Sequence, residues 1–490
     1  MRRTTRSLAG LVLLVLAACS TPEAPPLVVS VEFVSHADGQ VVTGDRTIEV
    51  RANVKAPADA QVTGSHNGAD LAFTRQGNVL RATVELANHD NVIEVTVRAE
   101  DESGVKTDKD TLTLHYPFVE LGSGQPAAVV IGQLSPEEAD PNAPEDMRVR
   151  EPYYRPAYVN GTLYVPDSNG HRILAFDGIP EESGVEAAFV VGGPAPCKVA
   201  DCSGANERPE NFAFDADKFK DPGSLAAYGN GFIMTDTFAS RILVFEQAPT
   251  DGTAKADRVL GQPDFTSGVG DCAPNKFRFP DMAIVVDGKL IVADTENHRV
   301  LIWNQFPANH NVPADLVLGQ SSFVSCEPDR GGQPDADTLD NPQGVWSDGR
   351  RLIVADAGNR RVLIWNAFPT QNGQPADVAV GQGSFTTQVD DVGPSSLGWA
   401  ADAVSNGNQL FVADETNNRV MVWNSLPTTN GAPADLVLGQ DDMESSVVNR
   451  GKGVGPDTLN QPDGVAIIEG KLFVADWGNH RYVIYEPVAP

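Results

Sequence analysis

The strongest constraint on the fold of this chain is a short segment that recurs six times after residue 160. Each copy is an apolar run ending in Asp, with an Arg five residues and an aromatic residue nine residues after that Asp. Successive Asp residues lie 58 to 69 positions apart. This period indicates units that stack on one another, because one unit alone cannot bury its apolar faces. The repeated pairs are Asp167 and Arg172, Asp236 and Arg241, Asp294 and Arg299, Asp356 and Arg361, Asp414 and Arg419, and Asp476 and Arg481.

A second motif recurs out of phase with the first: an apolar stretch ending in Gly, usually followed by Gln, as in Val317 to Gln320. The two motifs together predict four strands per unit. In the fourth unit these are 344–347, 351–355, 361–366 and 376–381. Four strands in each of six units predict an all-β chain containing a six-bladed β-propeller.

The chain ends soon after Tyr485, before the sixth unit reaches its fourth strand. An extra copy of that strand, residues 125–133, stands ahead of the first unit. We expect 125–133 to become the outer strand of the last blade, because this pairing closes the ring and removes two open sheet edges.

The core Asp-x-x-Asn-x-Arg, as in Asp294, Asn297 and Arg299, resembles NHL repeats. The second unit departs from it, with Ala239-Ser240 where Asn-His stands elsewhere. The resemblance covers 119–490 and implies a six-bladed ring with a central channel. It implies no single function, since such rings serve as RNA binders, protein-interaction modules, lyases and lactonases.

Residues 27–117 alternate between apolar and polar side chains, as in Ile48–Val54, Leu80–Val84 and Ile93–Ala99. The breaks carry turn residues such as Asn67-Gly68, and about seven strands of this kind predict a small antiparallel sandwich. The segment resembles bacterial Ig-like domains. Its expected role is that of a spacer, with ligand binding as the alternative.

Residues 1–18 begin with a basic stretch and continue with an apolar run, Leu8 to Leu16, that is too short to span a membrane. The sequence Leu16-Ala17-Ala18-Cys19 resembles a bacterial lipobox. That resemblance implies cleavage before Cys19 and acylation of this residue with chains such as palmitate; the alternative is an ordinary secretory signal. Residues 19–26 would then be a lipidated tether. The expected address is the cell envelope, in the outer membrane, on its periplasmic side or at the cell surface.

The chain has 36 basic and 66 acidic residues, a formal net charge of −30. A surface of this sign excludes nucleic acid as the main partner, because phosphate binding needs a basic face. We therefore expect the membrane to be contacted through the N-terminal lipid alone.

Six copies of one Asp and Arg pair argue for a structural role, because a catalytic site needs residues that one unit has and the others lack. His171, His298 and His480 share one repeat position and could suggest a metal site. Since the other units carry Ser240, Arg360 and Asn418 there, a polar turn residue is the better interpretation. The residues Asp335, Asp337 and Asp340 could bind calcium, although a solvated loop is favoured. No other cofactor is expected.

Four cysteines lie in three successive loops between units: Cys197, Cys202, Cys272 and Cys326. Four cysteines allow three sets of pairings. An exported protein can hold disulfides, and we favour Cys197–Cys202 and Cys272–Cys326.

The loops between units and the turns from Asp to Arg should lie on the same face of the ring, which is the expected binding face. Candidate contacts are Arg330, Trp399, Arg450 and Lys452, loop residues with no evident repeat equivalents; the alternative is ordinary surface or packing side chains. The predicted function is that of a lipid-anchored envelope scaffold whose loop face binds a protein or a glycan. The alternative is a metal-dependent lyase or lactonase with its site at the central channel.

Overall fold

The computed structural model describes residues 27–38, 40–42, 47–87, 89–101, 104–140, 148–192 and 214–488. Two compact units are present: one is formed by the described residues between Leu27 and His115 other than Val41 and Val42, and the other by these two valines and the described residues between Tyr116 and Val488. The signal segment with Cys19, and both Cys197 and Cys202, lie outside the described residues. Within the described parts, no helix has the length and apolar character needed to cross a membrane.

The first unit is built from two antiparallel sheets, with strand orders β1-β3-β7-β6 and β2-β9-β8-β4-β5. Two of its nine strands, β2 and β5, have two residues each, which is why alternation alone predicts about seven. The strands are β1 (Ser30–Phe33), β2 (Gln40–Val41), β3 (Thr47–Lys55), β4 (Gln61–His66), β5 (Ala69–Asp70), β6 (Thr74–Gln76), β7 (Val79–Glu85), β8 (His89–Asp101) and β9 (Gly104–Tyr116).

The core of this unit lies between its two sheets. Ala52 and Leu80 are opposite each other on β3 and β7, and both are fully buried. They pack with Val95 and Val97 of β8, which belongs to the other sheet. The apolar half of each alternating run therefore faces inward, and the unit is a β-sandwich.

In the second unit, the described strands between Val129 and Tyr485 form six four-stranded antiparallel sheets, here called sheets I to VI. Sheet I contains β11 (Ala157–Val159), β12 (Thr162–Asp167), β13 (Arg172–Asp177) and β14 (Phe189–Gly192). Sheet II contains β15 (Pro222–Tyr228), β16 (Gly231–Asp236), β17 (Arg241–Phe245) and β18 (Arg258–Leu260). Sheet III contains β19 (Pro280–Val286), β20 (Lys289–Asp294), β21 (Arg299–Trp303) and β22 (Leu316–Leu318).

Sheets IV to VI follow the same plan. Sheet IV contains β23 (Pro342–Ser347), β24 (Leu352–Asp356), β25 (Arg361–Trp365) and β26 (Val378–Val380). Sheet V contains β27 (Ala400–Ser405), β28 (Leu410–Asp414), β29 (Arg419–Trp423) and β30 (Leu436–Leu438). Sheet VI contains β31 (Pro462–Ile468), β32 (Lys471–Asp476), β33 (Arg481–Tyr485) and, as its outer strand, β10 (Val129–Ile131).

The outer strand of sheet VI thus comes from the N-terminal side of the ring. Val129 lies opposite Ile484, and Ile131 lies opposite Tyr482. The Gln125 side chain adds a hydrogen bond to the carbonyl of Glu486, at 2.7 Å. The two ends of the second unit are therefore held in one sheet, which leaves neither end as an open edge.

The first strand of sheet IV begins earlier than the sequence predicts. In sheet IV it begins at Pro342 rather than at 344, because the register shifts between Pro342 and Val345. The same irregularity follows Pro222, Pro280, Ala400 and Pro462. A β-bulge of this kind interrupts the alternation by which a strand is recognised. The outer strand of sheet IV, Val378–Val380, is shorter than the predicted 376–381.

The core of the second unit is divided among successive pairs of sheets. The cluster around Trp365 joins sheets III and IV, and that around Trp423 joins sheets IV and V. The cluster containing Leu163, Phe473 and Tyr482 joins sheet VI back to sheet I. Since neighbouring sheets share their apolar faces all the way round, the second unit closes into a ring, the arrangement of a β-propeller.

Each Asp and Arg pair is buried where two strands of a sheet are joined by a tight turn. In sheet IV the Nε of Arg361 donates to Oδ2 of Asp356 at 2.7 Å, and both side chains are inaccessible to solvent. Oδ1 of Asp356 accepts from the backbone N–H of Asp340, also at 2.7 Å. The Asn359 amide completes the set by donating to Oδ2 of Asp356.

The remaining donors of Arg361 reach the loops on either side of the sheet. One terminal nitrogen donates to the carbonyl of Phe385, and the other donates to those of Asp335 and Thr338. The equivalent arginines of sheets II, III, V and VI bond in the same pattern. The pair therefore holds one turn and two loops between sheets in a fixed relation.

Substituting Arg361→Ala should lower the free energy of unfolding by about 3–5 kcal/mol, because Asp356 stays buried without its paired charge and three loop carbonyls lose the donors that Arg361 supplies. Denaturant unfolding monitored by circular dichroism measures the change. Arg350→Ala, at an exposed position in the turn between β23 and β24, is the control and should stay within about 0.5 kcal/mol. Equal effects of the two substitutions would contradict the structural role of the pair.

Candidate functional site

The first strands of all six sheets surround one central channel. A cavity of about 500 Å³ at one end of it is lined by residues from each of these strands, among them Tyr158, Ala226, Val286, Trp346 and Ile467. Strands β11, β15, β19, β23, β27 and β31 are therefore the inner strands of the ring. The cavity sits at the ends of the inner strands farther from the Asp to Arg turns.

An ion pair crosses the channel inside the ring. Arg155 lies two residues before β11. Its guanidinium donates through Nε to Oδ2 of Asp402 in sheet V at 2.7 Å, and through a second nitrogen to Oδ1. It also donates to the carbonyls of Val345 and Ala403. The N–H of Val465 in sheet VI donates to the same carboxylate at 2.9 Å. This bidentate pair ties sheets I, IV, V and VI together across the axis.

Two glycines make room for this crossing. A Cβ on Gly344 would lie 2.3 Å from Oδ1 of Asp402, and one on Gly464 would lie 2.7 Å from the backbone of Tyr154. Both distances are shorter than side chains tolerate, so these positions accept no larger residue without displacing the pair or the neighbouring backbone.

At the other end of the channel, beside the Asp to Arg turns, lies a second cavity of about 520 Å³, here called the mouth pocket. Its aromatic lining consists of Tyr153, Tyr154, Phe238, Trp399 and Trp477. Its acidic lining consists of Glu151, Asp221, Glu415 and Asp463. The polar side chains of Asn169, Gln343 and Thr416 complete it. None of the lining residues is Lys, Arg or His.

The aromatic side chains are held by contacts with one another and with the ring. The rings of Tyr153 and Trp477 have centroids 5.0 Å apart, and those of Tyr153 and Tyr154 are 5.8 Å apart. The indole N–H of Trp399 donates to Oε1 of Gln343 at 2.6 Å. These contacts fix the orientation of the aromatic walls before any ligand arrives.

The carboxylates of the pocket are in surroundings that disfavour their charged form. Burial, and then the neighbouring Asp414, raise the pKa of Glu415 to about 7. Burial followed by repulsion from Glu415 and Asp281 raises the pKa of Asp463 well above its usual value. Below them, burial raises the pKa of Asp281 to about 6, although hydrogen bonds from Thr295 and Tyr154 oppose the rise. Several carboxyl groups that repel one another are thus concentrated at one end of the channel.

The mouth pocket is where the sixfold repeat breaks down. The residue after each repeat Asp is Ser168, Thr237, Thr295 and Ala357 in sheets I to IV, but Glu415 and Trp477 in sheets V and VI. On each inner strand of sheets II to VI, one residue lies opposite the repeat Asp. The residue that follows it in the chain is Gly223, Asp281, Gln343, Ala401 or Asp463, in sheets II to VI respectively. Residues that vary on a repeated scaffold are the ones that can carry a specific function.

Of the four predicted contact residues, the structure places Trp399 in the mouth pocket. The interpretation of Arg330 and Arg450 as unique loop residues is wrong, since they occupy equivalent places in the loops that lead into sheets IV and VI. Each has a positive φ and pairs with the Asp seven residues later, Asp337 or Asp457. Lys452 is exposed and pairs with Asp441. These three basic side chains are engaged in bracing loops.

The three histidines lie in separate turns, those of sheets I, III and VI. Each has the left-handed backbone that Ser240, Arg360 and Asn418 share at this position. Nδ1 of His298 accepts from the N–H of Asn341 at 3.1 Å, as Oδ1 of Asn418 accepts from Gln461. The position thus joins a turn to the next loop. Among the residues that the structure describes, no group of three or more His, Cys, Asp or Glu side chains is placed to hold a metal ion.

The acidic segment from Asp329 to Asp340 has internal partners for its carboxylates. Asp337 pairs with Arg330 at 2.6 Å, and Oδ1 of Asp340 accepts from the side-chain amide of Asn341 at 3.1 Å. Asp335 accepts from the N–H of Ala336.

Cys272 and Cys326 form a disulfide with their Cα atoms 6.4 Å apart, which joins the loops before and after sheet III.

Comparison with known proteins identifies a repeat family. Residues 281–303, which span β19 to β21, match the family model for the NHL repeat. The second unit, whose ring of four-stranded sheets is that of a β-propeller, thus contains an NHL repeat in sheet III. A search of curated protein sequences finds no significant match to the chain.

Similar solved structures have low sequence identity. The nidogen/laminin complex matches at 14% identity over 77% of this chain and 97% of that chain, with a TM-score of 0.31. A chain from Thermus thermophilus, described as an oxidoreductase (glucose dehydrogenase), matches at 12% over 68% and 96%, with a TM-score of 0.37. The endo-β-1,4-mannanase from Thermotoga petrophila matches at 14% over 19% and 20%, with a TM-score of 0.16. The chain thus spans about a fifth of the mannanase structure.

Sequence reasoning missed most of the mouth pocket, including Tyr153, Glu415, Asp463 and Trp477. The signal was present, because aligning the six units shows Glu415 and Trp477 where the other units carry small residues. The predicted contacts Arg330 and Arg450 are instead arginines that pair with an Asp of their own loop.

Glu415→Gln should raise the melting temperature by a few degrees at about pH 8 and leave it unchanged at about pH 4. An unfolded Glu ionises near pH 4.3, whereas the pKa of Glu415 in the folded protein is raised to about 7. Stability linked to the protonated side chain is therefore complete below about pH 4 and is lost as the pH rises through 7. Thermal melts at both pH values test this, with the exposed Glu444→Gln as control. A gain that does not depend on pH would contradict the assigned repulsion.

Proposed function

We propose that this protein is a lipid-anchored envelope protein whose Ig-like sandwich carries a six-bladed NHL propeller. In this proposal the face bearing the mouth pocket binds a protein or a glycan. The observation that carries it is the pocket itself: a cavity of about 520 Å³ with preformed aromatic walls, built from residues that depart from the repeat. Concave, mostly preformed cavities of this size are typical of binding sites.

A binding role accounts better for the chemistry of the pocket than an enzymatic one. A metal-dependent lyase or lactonase would have its site at the central channel. In the middle of the channel, the guanidinium of Arg155 and the carboxylate of Asp402 are each occupied by the other. Aromatic walls and carboxylates, by contrast, are the groups with which proteins recognise exposed side chains and sugars.

Lipid anchoring is the part of the proposal that rests on sequence, through the lipobox-like residues before Cys19. Expressed in a bacterium fed labelled palmitate, the full chain should incorporate label and partition into detergent. Cys19→Ala should lose both properties, because acylation needs the thiol and the new amino group of that residue. Ser20→Ala, at the next position, is the matched control and should keep the label. If the Cys19→Ala variant kept the label as the Ser20→Ala variant does, the proposed lipid anchor would be overturned.

Partner binding is tested by placing a photo-crosslinking phenylalanine analogue at Trp399 in the anchored protein within intact cells. We expect a discrete crosslinked product whose partner is digested by a protease or by a glycan hydrolase. The same analogue at the exposed Asp287, in the turn at the other end of β19, is the control and should give no such product. Equal crosslinking at both positions, or none at Trp399, would contradict binding at the mouth pocket.

A further inference from the structure

We propose that the mouth pocket binds an organic cation, an ammonium or guanidinium group carried on an apolar stem. This inference rests on the proposed function and names the chemistry of the ligand that the face receives. It begins from the balance of charge: four carboxylates line the cavity, and no basic side chain does.

Asp463 is the group that most needs a ligand. In the part of the chain that the structure describes, its carboxylate has neither a hydrogen bond nor an ion pair, and the carboxyl groups of Glu415, Asp281 and Asp402 repel its charge. The other acids of the channel are compensated: Asp402 is bound by Arg155, and Asp281 accepts from the hydroxyl of Tyr154 at 3.3 Å. A cation in the pocket would pair with this carboxylate and take the place of the proton that the surrounding acids otherwise favour.

The aromatic walls select the kind of cation. Tyr153 and Trp477 form a packed pair, and Trp399 and Phe238 line the same cavity. Rings of this type attract ammonium and guanidinium groups through their faces and bury the methylene stem that carries them. A bare metal ion would use neither the walls nor most of the volume, and a neutral sugar would leave the carboxylates repelling one another. The two features together favour an organic cation over both.

Two sources can supply this chemistry: a lysine or arginine side chain on a partner protein, or a free amine. The test uses Nα-acetyl-lysine methylamide for the first and 1,5-diaminopentane for the second, titrated into the full-length protein in detergent. Tryptophan fluorescence and calorimetry follow binding. Nα-acetyl-norleucine methylamide, which has an apolar side chain and no charge, is the matched control ligand.

We expect the lysine probe to bind at least about tenfold more tightly than the norleucine probe. Asp463→Asn and Glu415→Gln should each weaken its binding by about tenfold, whereas Asp287→Asn, on the opposite face, should leave it unchanged. Thermal melts verify that each variant is folded. Tighter binding of diaminopentane would assign the site to a free amine, and tighter binding of the lysine probe would assign it to a protein side chain.

Three outcomes would overturn the inference: equal binding of the lysine and norleucine probes, no binding of either cation, or cation binding that survives both acidic substitutions. A neutral oligosaccharide that binds where the cations do not would also overturn it while leaving the proposed glycan-binding function intact. Failure of the crosslinking at Trp399 would remove the proposed function whatever the probes do. The two proposals therefore fail separately.

Discussion

The buried pair of Asp and Arg is the interaction on which the rest of the ring depends. An Arg has five N–H donors, and burying them is costly unless each finds an acceptor. In sheet IV the acceptors of Arg361 are Asp356 on the same turn and carbonyls in two separate loops, 335–338 and 385. Such a pair adds little stability compared with well-packed apolar side chains, but it fixes geometry. Because the pattern recurs round the ring, loops that are distant in sequence are held in one rigid face.

A rigid face allows a few positions to depart from the repeat without loss of fold. Glu415 and Trp477 each follow a repeat Asp, so the hydrogen bonds of the pair hold their backbone in place whatever side chain they carry. Asp463 lies on an inner strand whose register is set by Asp476 and its neighbours. Groups that repel one another can therefore be kept close together. Their mutual repulsion is opposed by the apolar clusters shared between neighbouring sheets.

The sequence predicts the parts of this structure that repeat. The period and the missing last strand are enough to predict four strands per sheet and the pairing of β10 with β33, since both follow from local patterns. The early start at Pro342 is hidden by a bulge, which interrupts alternation. The mouth pocket could not be predicted from any single unit, because Tyr153, Trp399 and Trp477 come together only when the ring closes. Arg330 and Arg450 were predicted to contact a ligand because they are basic residues in loops. The sequence does not show that each pairs with the Asp seven residues later, which only the folded loop brings into contact.

The pair of Arg155 and Asp402 decides how a ligand can reach the pocket. Arg155 lines the cavity at one end of the channel, and its neighbour Tyr154 lines the mouth pocket at the other, so the ion pair stands between the two cavities. With its donors occupied by Asp402 and two carbonyls, the guanidinium does not neutralise the acids above it. The mouth pocket is then separated from the other cavity, and its lining is both aromatic and acidic. A charged group on a flexible apolar stem, presented from outside the ring, fits this geometry, because its stem can lie along the rings while its charge reaches Asp463.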